Sequence, residues 1–209
     1  DFIAISETPQ QMINAILSIE DRRFFEHPGI DFIGITRAAL RNITGKSHEG
    51  ASTITMQVAR NFFLTSERTL KRKINEILLA IKIERILSKE EILELYINQI
   101  YLGQRSFGFA AAANTYYGKN LDQLNLGETA LLAGLPKAPS RYNPLVRPHL
   151  AIKRQQDVLN SMLRHGYIDK PTYILALEDS LDLKDKFMKS ELQANYVAEM
   201  VRQTLFEEF

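Results

Sequence analysis

The chain has 209 residues, 45% of them hydrophobic and 24% charged, which fits one large domain or two lobes sharing a core and excludes a disordered segment. Lys and Arg total 26 against 25 Asp and Glu, so nucleic acid is not an expected partner and any anion site must come from local clustering. The absence of cysteine removes disulfide scaffolds, thiolate zinc sites and cysteine nucleophiles.

In chain order the punctuation reads as helix after helix. Thr8-Pro9-Gln10-Gln11 offers a capping hydroxyl with proline at the first helical position, and Met12, Ile13, Ile16 and Leu17 follow at helical spacing. Pro28-Gly29 closes that segment, Asp31 is set to cap a second helix through about Asn42, and 44–50 reads as a loop. Ser52-Thr53 starts a third helix through about Phe63. Leu70, Ile74, Ile77, Leu78 and Ile81 form the clearest stripe, with Arg68, Arg72 and Glu76 opposite. Its run Ile77 to Ile81 stops at Lys82, far short of the ~18–20 residues of a membrane span. Ser88-Lys89-Glu90-Glu91 is a capping box for a helix expected to stop at Gly103. Helices are also predicted over 110–117, 126–135, 149–165 and 171–178, with an irregular proline-rich stretch over 136–148 and a tail, 194–205, that suits helix or strand. The fold class is mainly α. The chain opens at Asp1 without methionine or signal peptide and is expected to be a piece of something longer.

Four segments carry chemistry. In Ile19-Glu20-Asp21-Arg22-Arg23-Phe24-Phe25-Glu26-His27-Pro28-Gly29, Glu20 ends an amphipathic helix near two phenylalanines. Helix-end carbonyls and apolar neighbours both raise a carboxylate's pKa, which suits a general base; a solvated Glu-Asp-Arg-Arg network is the alternative. Gly50-Ala51-Ser52-Thr53-Ile54-Thr55-Met56-Gln57 is either a phosphate-holding helix start or a plain cap. Arg60, Arg68, Lys71, Arg72 and Lys73 are five cations in fourteen residues; with Glu76 one turn past Arg72, they suit a diphosphate clamp or a solvated face. Ile92 to Gly103, with Asn98 inside an apolar stripe, reads as structural.

Together and in this order these segments resemble the peptidoglycan glycosyltransferase domain of class A penicillin-binding proteins and monofunctional transglycosylases. The first motif is carried by Glu20-Asp21, Phe24, His27 and Gly29, and the second by Gly50-x-Ser52-Thr53-Ile54-Thr55-x-Gln57. Arg72-Lys73-x-x-Glu76 is the third, and Ile92-Leu93-Glu94-x-Tyr96-x-Asn98-x-x-Tyr101-x-Gly103 the fourth. Ala111 to Lys119, Glu128 to Pro136, Pro139 and Tyr142-Asn143-Pro144 resemble the fifth. Met56, Glu49 and Asn75 depart from the pattern without removing a proposed catalytic group.

The resemblance implies a lysozyme-like, two-lobed helical domain over 1–185, with a small membrane-facing lobe around 30–70 and a linker over 186–209 towards a missing transpeptidase domain. Its implied substrates are lipid II and a growing lipid-linked glycan strand, joined with inversion at C1 and release of undecaprenyl pyrophosphate. Glu20 is then the base and Glu76 a second catalytic carboxylate that orients cations or holds magnesium or another divalent cation. Asp21, Phe24, His27, Ser52, Thr53, Gln57, Arg60, Asn61, Arg68, Arg72, Lys73 and Asn98 are the implied substrate-binding residues. A moenomycin-type inhibitor is expected at the donor site. The implied location is the outer face of the bacterial cytoplasmic membrane, with an N-terminal anchor helix outside this chain. Phe62, Phe63 and Leu64 are expected in the core, lipid contact being the alternative. A glycan-cleaving lysozyme-like enzyme and a non-enzymatic lipid-linked glycan-binding module are the competing readings.

Overall fold

The computed structural model describes residues 2–36, 52–63 and 69–178. A 3-10 turn at Ile5–Glu7 leads into α1 (Gln10–Glu20), and a helical turn spans 32–36. After it come α2 (Ile54–Phe63), α3 (Leu70–Glu84), α4 (Lys89–Gln99), α5 (Phe109–Tyr117), α6 (Leu126–Gly134), α7 (Pro148–Arg164) and α8 (Lys170–Glu178). Among the described residues there is no strand, only one antiparallel bridge between Tyr101 and Phe107. The rest of the second helix, the 44–50 loop, Leu64, Arg68, the 194–205 tail and the boundary at 185/186 lie outside the described residues.

Local sequence explains most boundaries. The Ser88 hydroxyl accepts from the Glu91 amide while the Glu91 carboxylate accepts from the Ser88 amide, the reciprocal cap expected of that tetrapeptide. Asn125 and Glu128 repeat the device at the start of α6. Two expectations are corrected. Thr8 does not cap α1: its hydroxyl donates to the Ala4 carbonyl, 3.1 Å away, because the preceding 3-10 turn offers a nearer acceptor. The fourth-motif helix stops at Gln99 rather than Gly103, because Ile100 turns extended so that Tyr101 can pair with Phe107. Gly103, at φ +90°, shapes that tight turn instead.

α1 packs against α6 and α7, while α2 packs against α3 and α4. The core runs through both sets, with Ile16, Phe24, Ile54, Ile97, Phe109 and Leu132 all fully enclosed. The last residue of α1 and the first turn of α2 meet at the seam, where the candidate chemistry gathers.

α3 is inside out relative to its apolar stripe. Leu70, Ile74 and Leu78 are exposed, whereas Glu76 and Ala80 are buried. Phe62 and Phe63, expected in the core, are exposed as well. The charged face of α3 lies inward because it is held at the start of α2, as described next.

Candidate active site

Glu20 is the final residue of α1, and only 11% of its side chain is exposed. Its Oε2 accepts from Gln57 Nε2 at 2.9 Å, and its Oε1 lies 3.7 Å from the Arg154 guanidinium. Burial raises its pKa. The Gln57 hydrogen bond and the charges of Arg154, Lys137 and Arg60 pull it back part of the way, and the balance stays above the ordinary glutamate value. A carboxylate so placed is a stronger proton acceptor than an exposed one.

Its sequence neighbours serve a different purpose. Asp21 receives His27 Nε2 on both oxygens, at 2.9 and 3.1 Å, and its Oδ2 also accepts from the Ile54 amide at 3.0 Å. An aspartate at a helix N-terminus meets the positive end of the dipole, so Asp21 fastens the end of α1 to the start of α2. Thr53 donates to the Gly29 carbonyl at 2.6 Å and accepts from the Met56 amide at 3.2 Å. Phe24 is fully buried beneath the Lys89 ammonium, 4.4 Å from its ring. All four are enclosed, so the structure places Asp21, Phe24, His27 and Thr53 as supports of the seam rather than as open binding groups.

A second cluster forms where α3 crosses the α2 start. Glu76 is 1% exposed, and its two oxygens hold Arg72 Nη1 and, at 2.9 Å, Lys73 Nζ. Lys73 also donates to the Ser52 hydroxyl at 2.7 Å. The hidden carboxylate fixes two cations whose outer sides stay accessible: the Lys73 side chain is 41% exposed and has a third N–H to give. Arg72 Nε is buried with no hydrogen-bond partner among the described residues. The donor set does not fit a magnesium site, since both Glu76 oxygens are taken by cations and no group of three or more metal-binding side chains gathers among the described residues.

Of the other expected residues, Arg60 lies close enough to Glu20 to act on its charge, and Asn61 is exposed near the end of α2. Asn98 is committed elsewhere. Its Oδ1 accepts from the Ile3 amide at 2.9 Å, and its Nδ2 donates to the Ile3 carbonyl at 2.8 Å. Glu94 accepts from the Ile5 amide at 2.7 Å. With both ends of its amide spent on backbone, Asn98 is a clamp on the first residues instead of a substrate contact.

Three groups around Glu20 lie outside the predicted set. Tyr96 on α4 is buried with an unpartnered hydroxyl, and burial together with the charge of Glu20 holds its pKa well above the ordinary tyrosine value. Lys137 follows α6 and carried no signal. Arg154 did carry one, because it interrupts the stripe Ala151, Val158, Leu159 and Met162 that α7 buries, and a charge on a buried stripe needs a partner.

The family described as transglycosylase matches residues 1–163. Over its whole length the chain is 51% identical to penicillin-binding protein 1A of Neisseria meningitidis, of which it covers 26%. It is also 51% identical over 201 residues to the Pseudomonas aeruginosa protein of that name, covering 96% of this chain and 24% of the other. The crystal structure of penicillin-binding protein 1A from Haemophilus influenzae superposes with a TM-score of 0.51 at 30% identity, over 99% of this chain and 21% of that one. The chain therefore spans about a quarter of the length of these relatives.

Proposed function

Since the chain belongs to the transglycosylase family, we propose that it is a peptidoglycan glycosyltransferase that polymerises lipid II into glycan strands. The 4-hydroxyl of an incoming lipid II attacks C1 of the sugar at the end of the growing strand. As the new O–C1 bond forms, the hydroxyl proton passes to Glu20. The bond from C1 to the lipid pyrophosphate breaks with inversion, and its electron pair leaves on the pyrophosphate. The observation that carries this reading is the Glu20 carboxylate itself: nearly enclosed, raised in basicity by burial, and faced by Gln57 and the Arg154 guanidinium, which favour its charged form. General-base help of this kind contributes about 10²–10⁴-fold in rate.

Arg72 and Lys73, fixed by Glu76, are the groups assigned to the departing pyrophosphate, with Arg68 beside them in sequence. Their preset positions favour the charge that builds during departure, and the unpartnered Arg72 Nε suits a phosphate oxygen. A moenomycin-type inhibitor would occupy the same donor side. For the parent protein we propose a class A penicillin-binding protein with a transpeptidase domain beyond this chain. It would work at the outer face of the cytoplasmic membrane, held by an N-terminal anchor. No helix among the described residues is long and apolar enough to cross a membrane; the support for a membrane seat is the exposed set Phe32, Ile33, Phe62, Phe63, Leu70 and Ile74.

Lipid II polymerisation by the wild type and by Glu20→Gln tests the activity. Polymer from the wild type and polymerisation about 10²–10⁴-fold slower in the variant, with lipid II binding retained in both, is the expected result. Shortening of finished peptidoglycan without polymer formation would replace this reading by a glycan-cleaving one.

A further inference from the structure

Arg154 is nearly enclosed, and groups from α1, α6, the loop after α6 and its own helix face it. Its Nε donates to the Gly134 carbonyl at the end of α6, at 3.1 Å. Its guanidinium carbon sits 5.8 Å from the Tyr142 ring, within cation–π range. One terminal nitrogen lies 3.8 Å from Asp157 and the other 3.7 Å from Glu20. Gly134 makes room for this: a Cβ there would meet Arg154 Cγ at 2.8 Å. The guanidinium is thus steered over a glycine, pinned through Nε and aimed at the carboxylate.

We propose that Arg154 is a positioning residue for Glu20, its anchored guanidinium fixing the carboxylate's place and keeping it in the proton-accepting form. The proposal rests on the reading of Glu20 as the base. The charged and polar groups facing Glu20 are Gln57 and Arg60 from α2, Tyr96 from α4, Lys137 after α6 and Arg154 from α7, with Asp21 adjacent in sequence. Gln57 is already spent on Oε2, and Lys137 and Arg60 act with smaller effect than Arg154. Arg154 is also the only cation in ion-pair range of Glu20 among the described residues. Burial alone favours the protonated form of so enclosed a carboxyl, and a cation in ion-pair range opposes it.

The test follows the Glu20 side-chain carboxyl by ¹³C NMR titration, assigned by its loss in Glu20→Gln, in the wild type and in Arg154→Gln, Arg154→Lys and Gly134→Ala. Arg154→Gln is expected to raise the Glu20 midpoint by about one pH unit or more, and Arg154→Lys to restore most of it. Gly134→Ala keeps the charge but pushes the stem aside, at a backbone position (φ −81°) that alanine accepts; it is expected to raise the midpoint by less. The acidic limb of the polymerisation rate should move with the midpoint. A purely structural Arg154 would lower stability and rate at every pH and leave the midpoint still. An unmoved midpoint in Arg154→Gln, or in Gly134→Ala should the first not fold, overturns the proposal. The titration needs no lipid II, so a wild type that makes no polymer would sink the activity and still decide the role of Arg154.

Discussion

α3 and α4 are successive helices that bury opposite kinds of face. α4 turns Ile92, Leu93, Tyr96 and Ile97 inward, whereas α3 buries Glu76 and leaves Leu70, Ile74 and Leu78 outside. Hydrophobic period specifies that a helix forms; it does not specify which side faces the core. On α3 the choice is made by the Lys73–Ser52 contact and by Glu76 binding two cations at once. The outcome is a helix that gives up apolar burial to hold a positive pair in place, beside a helix that spends its whole apolar face on packing.

This contrast can be broken or sharpened in several ways. The largest effect belongs to the carboxylate that α4 backs: Glu20→Gln should cut lipid II polymerisation about 10²–10⁴-fold. It should do so without loss of stability. The folded pKa of Glu20 lies above its unfolded value, so the native state binds the extra proton, and stability falls as pH rises from about 4.3 through the raised value. Thermal melts should therefore show the variant at least as stable as wild type at neutral pH, with the advantage gone below pH 4. Ile97→Ala on α4 should cost about 2–5 kcal/mol in urea unfolding, as expected of a fully buried aliphatic side chain. Glu76→Gln strips the ionic partner from Arg72 and Lys73 and should cost about 1–3 kcal/mol together with much of the polymerisation rate. Leu78→Ser, on the exposed side of α3, should change stability by less than about 0.5 kcal/mol while weakening binding to anionic phospholipid vesicles. If instead it destabilised as much as Ile97→Ala, that face would be a packing surface and the contrast between the two helices would fail.

How far the molecule could be read in advance follows the same division. Helix positions were legible because caps and periodicity are local: Ser88 to Glu91 declared its box, and α2, α5, α6 and α7 lie within a residue or two of their expected bounds. The Thr8 and Gly103 expectations failed because each competed with a contact that local pattern does not contain, the Ala4 carbonyl and the Tyr101–Phe107 bridge. Within the site, Glu20, Gln57, Arg72, Lys73 and Glu76 were legible as motif residues, but the division of labour among their neighbours was not. Asp21, Thr53 and Asn98 have side chains that suit a sugar or a phosphate as well as they suit a backbone amide, and only their burial and partners distinguish the two. Arg154 approaches Glu20 from a helix more than 130 positions later, a pairing that only the tertiary fold creates.

The grip of Asn98 and Glu94 on residues 3 and 5 has a mechanical consequence. Tension applied to the start of the chain is transferred to α4, 95 residues away in sequence, before it can travel along α1. The Glu20 end of α1 is thereby isolated from tugging at the other end. If the N-terminal anchor proposed above precedes Asp1, the domain would swing about it without disturbing the atoms around Glu20.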